Sequence, residues 1–308
     1  MGWRLKSAQF KFLSLLPGGE ALYRYTQENI TRATEATRPR VDQKLNVGLD
    51  FWAWLQQQNR TEQLTGGSLL DLGAGWKPVI PLLWYAFGNN RQTLVDVSPN
   101  MDARKVGDTI RVFRETTSDA QWPGRAALKR LPEMLPPTVG PGAGPALAPF
   151  GIEYRAPYGN LLLERPAQYD LVICTQVLQH LPKPVLATIF KGVYTCLKPG
   201  GLFHATVHFV AQFRSPELQR GQYEHLHYSP AMWQTRFNSS LMSFYRHKGP
   251  DYRELLEQAG FRIREFKLTG PTAEDLAELK RARVHPCFSR YSEQDLAARG
   301  VFWVAEKP

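Results

Sequence analysis

Short apolar runs ending at a carboxylate or a glycine, each followed by a stretch of helical spacing, recur along the chain. Leu69, Leu70 and Leu72 form the first, broken by Asp71 and closed by Gly73 and Gly75. The pattern predicts a buried strand, a tight loop and a helix opening with Pro78 in its first turn, where a missing N–H is tolerated. Gln92–Val97 is a second β-rich run and carries Asp96; the polar stretch Met101–Arg114 reads as a helix. Ile152–Arg155 resumes as a third strand, and Tyr169–Cys174 is apolar enough for a fourth buried on both faces. Val185, Ile189, Val193 and Leu197 keep helical spacing until Lys198-Pro199-Gly200-Gly201 stops the helix. Leu202–Val207 is a fifth strand, Asp251–Ala259 a short helix stopped by Gly260, and Phe261–Leu268 and Gly300–Ala305 close the series around a charged helix. Strands alternating with helices predict an α/β fold, doubly wound, with helices on both faces of a parallel or mixed sheet.

Composition narrows the class. The chain has 308 residues, 43% of them hydrophobic and eight of them Trp, which argues against disorder and for one α/β domain with additions. No apolar run approaches the roughly 18 residues that span a bilayer. Cys174, Cys196 and Cys287 are odd in number and lack a C-x-x-C pair, so neither structural zinc nor a disulfide framework is expected and a cytoplasmic setting is. A net charge of +10 brings nucleic acid into consideration, yet the cations are dispersed without a dense basic run. Residues 1–16 place Arg4, Lys6 and Lys11 among Trp3, Phe10, Phe12 and Leu13 with no acid. A targeting or membrane-surface helix is one reading. A helix packing on the domain is preferred, because no cleavage pattern follows. Pro132–Pro149 holds six prolines and three glycines and is expected to be a long, mobile loop.

A glycine loop between strand and helix brings bare backbone to a ligand at the carboxyl edge of a parallel sheet. A dinucleotide fingerprint requires a small residue where this chain has Pro78, so a pyrophosphate is disfavoured and a nucleoside without phosphates is favoured. Asp96, about 20 residues on, is placed to accept hydrogen bonds from both hydroxyls of a ribose. Asp71, Gly73, Gly75 and Asp96 together resemble the class I S-adenosylmethionine-dependent methyltransferases, whose D/E-x-G-x-G-x-G loop is followed by an acid ending strand two. Lys77 stands at the last glycine of that motif. The resemblance covers residues 45–308. It implies a seven-stranded, mostly parallel sheet whose last strand is antiparallel, S-adenosyl-L-methionine as cofactor and an enzyme that transfers its methyl group. Residues 1–44 are then an N-terminal helical lid, 132–149 a loop insertion and 209–250 a lid insertion after strand five.

The resemblance places Asp71 near the methionine amino group; otherwise its carboxylate binds the glycine-loop amides. Gly73, Ala74 and Gly75 meet the methionine portion with their backbone, and Asp96, beside Val97, holds the ribose. The family's acid for the adenine amine is missing from Ala156-Pro157-Tyr158-Gly159-Asn160, where Tyr158 or Asn160 replaces it or the segment is a plain turn. Thr175 to Pro182 is similar to the family's post-strand-four segment, with Gln176 facing the sulfonium and Val177 pressing on the nucleoside. His180 there is a base or, preferably, a loop-shaping group. A subgroup of the family has runs similar to Trp76–Leu83 and to His225–Trp233. Five of seven histidines lie between 180 and 227, and His225-x-His227 offers two metal ligands without a reliable third, so no metal is expected. His208, Tyr228 and His180 are the candidate proton-handling residues, and His208, Tyr223, His227, Tyr228 and Trp233 either line an acceptor pocket or fill a small core. Four functions follow: methyl transfer to a small molecule, attack on the aminobutyrate arm releasing methylthioadenosine, RNA methylation, and a cofactor-binding module without catalysis. The first is preferred, and the sequence leaves acceptor and oligomeric state open.

Overall fold

The computed structural model describes residues 3–31, 34–118, 142–209 and 222–308. Seven strands form one sheet in the order β3-β2-β1-β4-β5-β7-β6. They are β1 (Leu69–Leu72), β2 (Gln92–Val95), β3 (Ile152–Arg155), β4 (Tyr169–Thr175), β5 (Leu197–His208), β6 (Arg262–Thr269) and β7 (Gly300–Glu306). β1 is parallel to β2 and to β4, and β2 to β3, whereas β6 and β7 are antiparallel. This is the seven-stranded, mostly parallel sheet expected. β1 and β2 are buried along their whole length, consistent with their unbroken apolar runs. β6 ends the order, and its exposed positions carry Arg262, Arg264 and Lys267, charges that discourage edge-to-edge pairing.

The chain divides into two compact units, one of Ala33–Cys174, Thr195–His204 and Lys307–Pro308, the other of Met1–Arg32, Thr175–Tyr194 and Ala205–Glu306. In the first, the long helix Arg38–Gln57 runs through residue 44 and buries Val41, Leu45, Phe51 and Leu55. The helix Val79–Ala86 is buried on nearly every side, which its sequence VIPLLWYA requires. The two meet closely at Gly48, where an added Cβ would lie 2.4 Å from Leu83 Cδ2. Phe51 stacks on the buried His204 ring at 4.1 Å. The buried Gln92 side-chain nitrogen donates to the carbonyls of Pro81 (3.0 Å) and Asn89 (3.1 Å), while its Oε1 has no partner among the described residues.

The Pro/Gly-rich stretch departs from its expectation. Residues 132–141 lie outside the described residues, but Gly144–Leu147 and Ala148–Phe150 form successive helical turns with Ala146, Leu147 and Phe150 buried. Pro145 and Pro149 sit at opening positions of those turns, where the absent N–H is not missed. A loop composition there conceals an apolar anchor.

In the second unit, helix Gly249–Gln258 packs Tyr252 against Trp303 of β7, with centroids 5.4 Å apart. Residues 210–221 of the expected lid lie outside the described residues. Within 222–250 much of the aromatic surplus is core. Tyr223 joins Leu226, Leu279, Phe288, Leu296 and Ala297, and its hydroxyl donates to the Ala297 carbonyl at 2.8 Å. Trp233 packs with Phe244, and its indole N–H reaches the Phe244 carbonyl at 2.7 Å. Tyr223 and Trp233 are thus bracing residues, 1% and 3% exposed. No helix among the described residues is long and apolar enough to cross a membrane.

Gly151, where β3 begins, has φ 67°, and an added Cβ would lie 2.0 Å from the Asn90 carbonyl oxygen. Left-handed strain and backbone overlap together are expected to cost Gly151→Ala on the order of 3 kcal/mol. A denaturant midpoint displaced by less than about 0.5 kcal/mol, the usual range of surface changes, would contradict this packing.

Candidate active site

The glycine loop is built from the ends of β1 and β2. After Leu72 the amides of Gly73 and Ala74 both donate to the Val95 carbonyl, at 2.9 and 3.0 Å. Gly73 and Gly75 adopt φ of 86° and 67°, a left-handed pair that side chains resist. The Gly75 amide then donates to Asp96 Oδ2 at 2.8 Å, and the Ser98 amide to Oδ1 at 3.2 Å. A carboxylate has about four lone-pair positions, so each oxygen of Asp96 retains one for a further donor. A Cβ on Gly75 would meet nothing nearer than the Gly73 carbonyl oxygen at 4.0 Å, so the loop backbone is open to close approach.

One alternative falls here and one expectation is corrected. The Gly75 amide is taken by Asp96, against the alternative that Asp71 binds the glycine-loop amides. Pro78 is the residue before the helix, not in its first turn: its ψ of 46° is outside the helical range, and the helix starts at Val79.

Asp71 lies on β1, 6% exposed, and its carboxyl is pushed up to about 7. Burial is the main cause; Lys44 opposes the rise and the Asp96 charge adds to it. Lys44, on the helix Arg38–Gln57, has its ammonium pulled below the usual range by burial, with Asp71 opposing. Lys77 is brought down to about 8, chiefly by burial and then by the repulsion of Lys44 and Arg40. Its ammonium donates to the Glu35 carbonyl at 3.0 Å. Lys105, which lies 4.9 Å from the Trp76 ring centroid, is paired with Asp102 at 2.9 Å. Sequence inspection noted Lys77 only as a departure from the motif and passed over Lys44. Its signal was a lysine beside the apolar face of Val41, Leu45 and Gly48.

The remaining nucleoside candidates of this unit are more open. Val97 is 71% exposed beside Asp96. Tyr158 is half-buried, and its hydroxyl is shifted up by burial. Asn160 is exposed and precedes the helix Leu161–Glu164 without capping it through its side chain.

In the other unit, Gln176 follows β4 with φ 59°, an uncommon conformation for a residue with a side chain. Its backbone N–H donates to the Thr206 carbonyl at 2.8 Å, and its carbonyl accepts from Gln179 Nε2 at 2.8 Å. Its side-chain amide lies 3.1 Å from His208 Nε2. Burial shifts the His208 imidazole below its ordinary range, so the ring is neutral at neutral pH. Thr175 Oγ1, Thr206 Oγ1 and Gln179 Oε1 are buried without a hydrogen-bond partner among the described residues. Val177 is half-buried at the head of the turn Leu178–His180. His180 Nδ1 meets the Ser243 carbonyl at 2.6 Å while Ser243 Oγ donates back to the His180 carbonyl at 2.9 Å, a reciprocal tie that shapes the loop. Tyr228 packs edge-on against Phe237 at 4.8 Å. His225 is fully buried with Nδ1 held at 3.0 Å from the Gln222 carbonyl, and His227 is half-buried. Gln176 and His208 are thus brought together, and Tyr228 stands in a separate aromatic cluster.

The family profile described as methyltransferase domain matches residues 49–265, more than half of the chain. The chain belongs to that family. Its sheet is that of the class I S-adenosylmethionine-dependent methyltransferases. Among curated relatives, a ubiquinone biosynthesis O-methyltransferase from Acinetobacter baylyi is 43% identical over 58 residues, 18% of this chain and 24% of that protein. A protein of the same name from Bordetella pertussis is 40% identical over 58 residues, 18% of this chain and 23% of the relative. The chain thus spans about a quarter of the length of these relatives. Among solved structures, an S-adenosylmethionine-dependent methyltransferase from Mesorhizobium loti aligns at 15% identity and TM-score 0.42, covering 82% of this chain and 96% of that one. Phosphoethanolamine N-methyltransferase 2 from Haemonchus contortus, solved with S-adenosyl-L-methionine, aligns at 18% identity and TM-score 0.43, covering 83% and 53%.

A raised carboxyl means that the folded methyltransferase holds a proton that the unfolded chain releases near 3.8. The stabilisation is complete below that value, declines as pH rises, and is lost above about 7. Relative to Asp71→Asn, the wild type is expected to lose stability across this window, by on the order of 4 kcal/mol at most. Parallel unfolding curves for the two proteins at pH 4 to 8 would contradict the burial of a strained carboxylate.

Proposed function

We propose that the enzyme transfers the methyl group of S-adenosylmethionine to a small-molecule acceptor by in-line displacement. The observation that carries the cofactor half is the doubly held Asp96, with one lone pair left on each oxygen and the glycine backbone open beside it. The residues assigned to the cofactor in that unit are Asp71, Gly73, Ala74, Gly75 and Asp96, with Val97, Tyr158 and Asn160 assigned to its nucleoside end. The geometry permits this, since Pro78 and Lys77 leave no glycine-lined pyrophosphate cradle. Curated relatives named as ubiquinone biosynthesis O-methyltransferases favour a small hydroxylated acceptor over RNA.

The cofactor carries its own leaving group, so the protein needs to align the acceptor, exclude water and receive a proton. We assign the proton to His208, with Gln176 and Val177 in the same unit as residues lining the reaction. An imidazole kept neutral by burial has one basic nitrogen; the Gln176 amide donates to it at Nε2 and holds the ring, and must yield that lone pair when the proton is taken. Attack on the methyl carbon forms the acceptor–methyl bond, returns the sulfonium electron pair to sulfur and leaves S-adenosylhomocysteine.

Loss of the Asp96 carboxylate removes two charge-assisted hydrogen bonds to the ribose. Asp96→Ala is expected to weaken S-adenosylhomocysteine binding by about 1.5–3 kcal/mol in calorimetry. Unchanged affinity in the folded variant would remove Asp96 from the site. Turnover with a phenolic acceptor panel should yield S-adenosylhomocysteine; methylthioadenosine in its place would mean attack on the aminobutyrate arm.

For the base, His208→Asn preserves much of the volume and the hydrogen bond to Gln176. It is expected to lower kcat roughly 100-fold, with cofactor affinity unchanged. Normal kcat would leave His208 a packing residue and return the proton to solvent.

A further inference from the structure

Gln176 stands where β4 has ended, with its backbone in the left-handed region at φ 59°. A residue with a side chain persists there when its surroundings hold it. Its N–H donates to the Thr206 carbonyl at 2.8 Å, and its side-chain amide lies 3.1 Å from His208 Nε2. Thr206 and His208 both belong to β5, so one strand receives the backbone and the side chain of Gln176. The remaining support comes from Gln179, whose Nε2 donates to the Gln176 carbonyl at 2.8 Å.

Gln179 is itself fixed from its far side. It is 5% exposed, its carbonyl accepts from the Tyr245 N–H at 2.8 Å, and the adjacent His180 is tied to Ser243 in both directions. Chemistry decides which atoms donate. A carbonyl only accepts, so His180 Nδ1, 2.6 Å from the Ser243 carbonyl, carries the ring proton. Burial keeps that ring neutral, which leaves Nε2 an acceptor. The Gln179 atom 3.4 Å from it is therefore the amide nitrogen, and the same nitrogen serves the Gln176 carbonyl. In this orientation Gln179 Oε1 is buried without a hydrogen-bond partner among the described residues. A buried acceptor left unsatisfied is destabilising, so the side chain is retained for what its nitrogen does.

We infer that Gln179 is a positioning residue for the proton transfer: its amide nitrogen holds the Gln176 backbone in the left-handed turn from which the Gln176 side chain reaches His208 Nε2. The inference rests on the assignment of the proton to His208 and adds to it a residue that acts only through Gln176. Without this hold, Gln176 relaxes toward ordinary backbone angles and carries its amide away from the ring. With it, the backbone stays in place while the side chain alone turns aside as Nε2 takes a proton. The donor then leaves and returns without rebuilding the loop.

Long-range proton–nitrogen NMR spectra of the imidazoles read tautomer and titration without any acceptor, with His208 and His180 identified by His208→Asn and His180→Asn. In the wild type both neutral rings should carry their proton on Nδ1. The Gln176 amide stabilises the neutral His208 ring, so Gln176→Met should raise the pH at which that ring titrates by about 0.5 or more. Gln179→Met keeps the length of the side chain and removes its donor. It should raise the His208 titration by a comparable amount, and the double variant should go no further than the larger single one. A His208 titration raised by Gln176→Met but unmoved by Gln179→Met, or additive effects in the double variant, would overturn the positioning role. So would a wild-type His180 protonated on Nε2, which reverses the Gln179 amide, or a wild-type His208 protonated there, which reverses that of Gln176. None of these readings uses turnover, whereas a normal kcat in His208→Asn would remove the base assignment and leave the spectra as they stand.

Discussion

The Asp96 carboxylate does two things that depend on each other. It accepts the Gly75 amide and so fixes the far side of a loop whose near side is already tied to Val95. The same contact orients the carboxylate, because the second oxygen is held by Ser98. A side chain at the end of β2 thereby sets the backbone that follows β1, and the parallel register Leu72↔Val95 brings the two ends level. Charge-assisted bonds to backbone N–H groups are the strong kind, and in a site 8% exposed little water competes for them. The loop is therefore shaped before any ligand arrives, which lowers the ordering cost of binding.

Electrostatics around this loop are out of balance in one direction. Asp71 is buried and its carboxyl rises toward neutrality, while the ammonium groups of Lys44 and Lys77 are pushed the other way. Each group alone costs stability, and a sheet this apolar gains nothing from them as packing. Retaining them is intelligible if a bound molecule supplies the missing charges, the usual reason for strained ionisable groups in a cleft.

The sequence carried the sheet well because its strands are apolar runs punctuated by acids and glycines. β1, β2, β3 and β4 fall where alternation and punctuation place them, and only boundaries shift: β5 begins at Leu197, ahead of the glycines read as the helix stop and of the expected start at Leu202. The glycine loop and Asp96 were legible because adjacent residues specify them. Lys44 was not, since nothing local distinguishes a lysine whose ammonium is desolvated from one in solvent. The Pro/Gly stretch misled because turn-rich composition reports on backbone freedom, not on the burial of Leu147 and Phe150. Residue type likewise left Tyr223 and Trp233 open between pocket and core, and hydrogen bonding to the Ala297 and Phe244 carbonyls goes with their burial in the core.

A crystal structure of the protein with S-adenosylhomocysteine tests the central claim most directly. The account requires both ribose hydroxyls on the Asp96 carboxylate, with the Gly75 and Ser98 amides still in place. A nucleoside bound away from Asp96, or a glycine loop that has to rebuild its bond to Asp96 to admit it, would contradict the account.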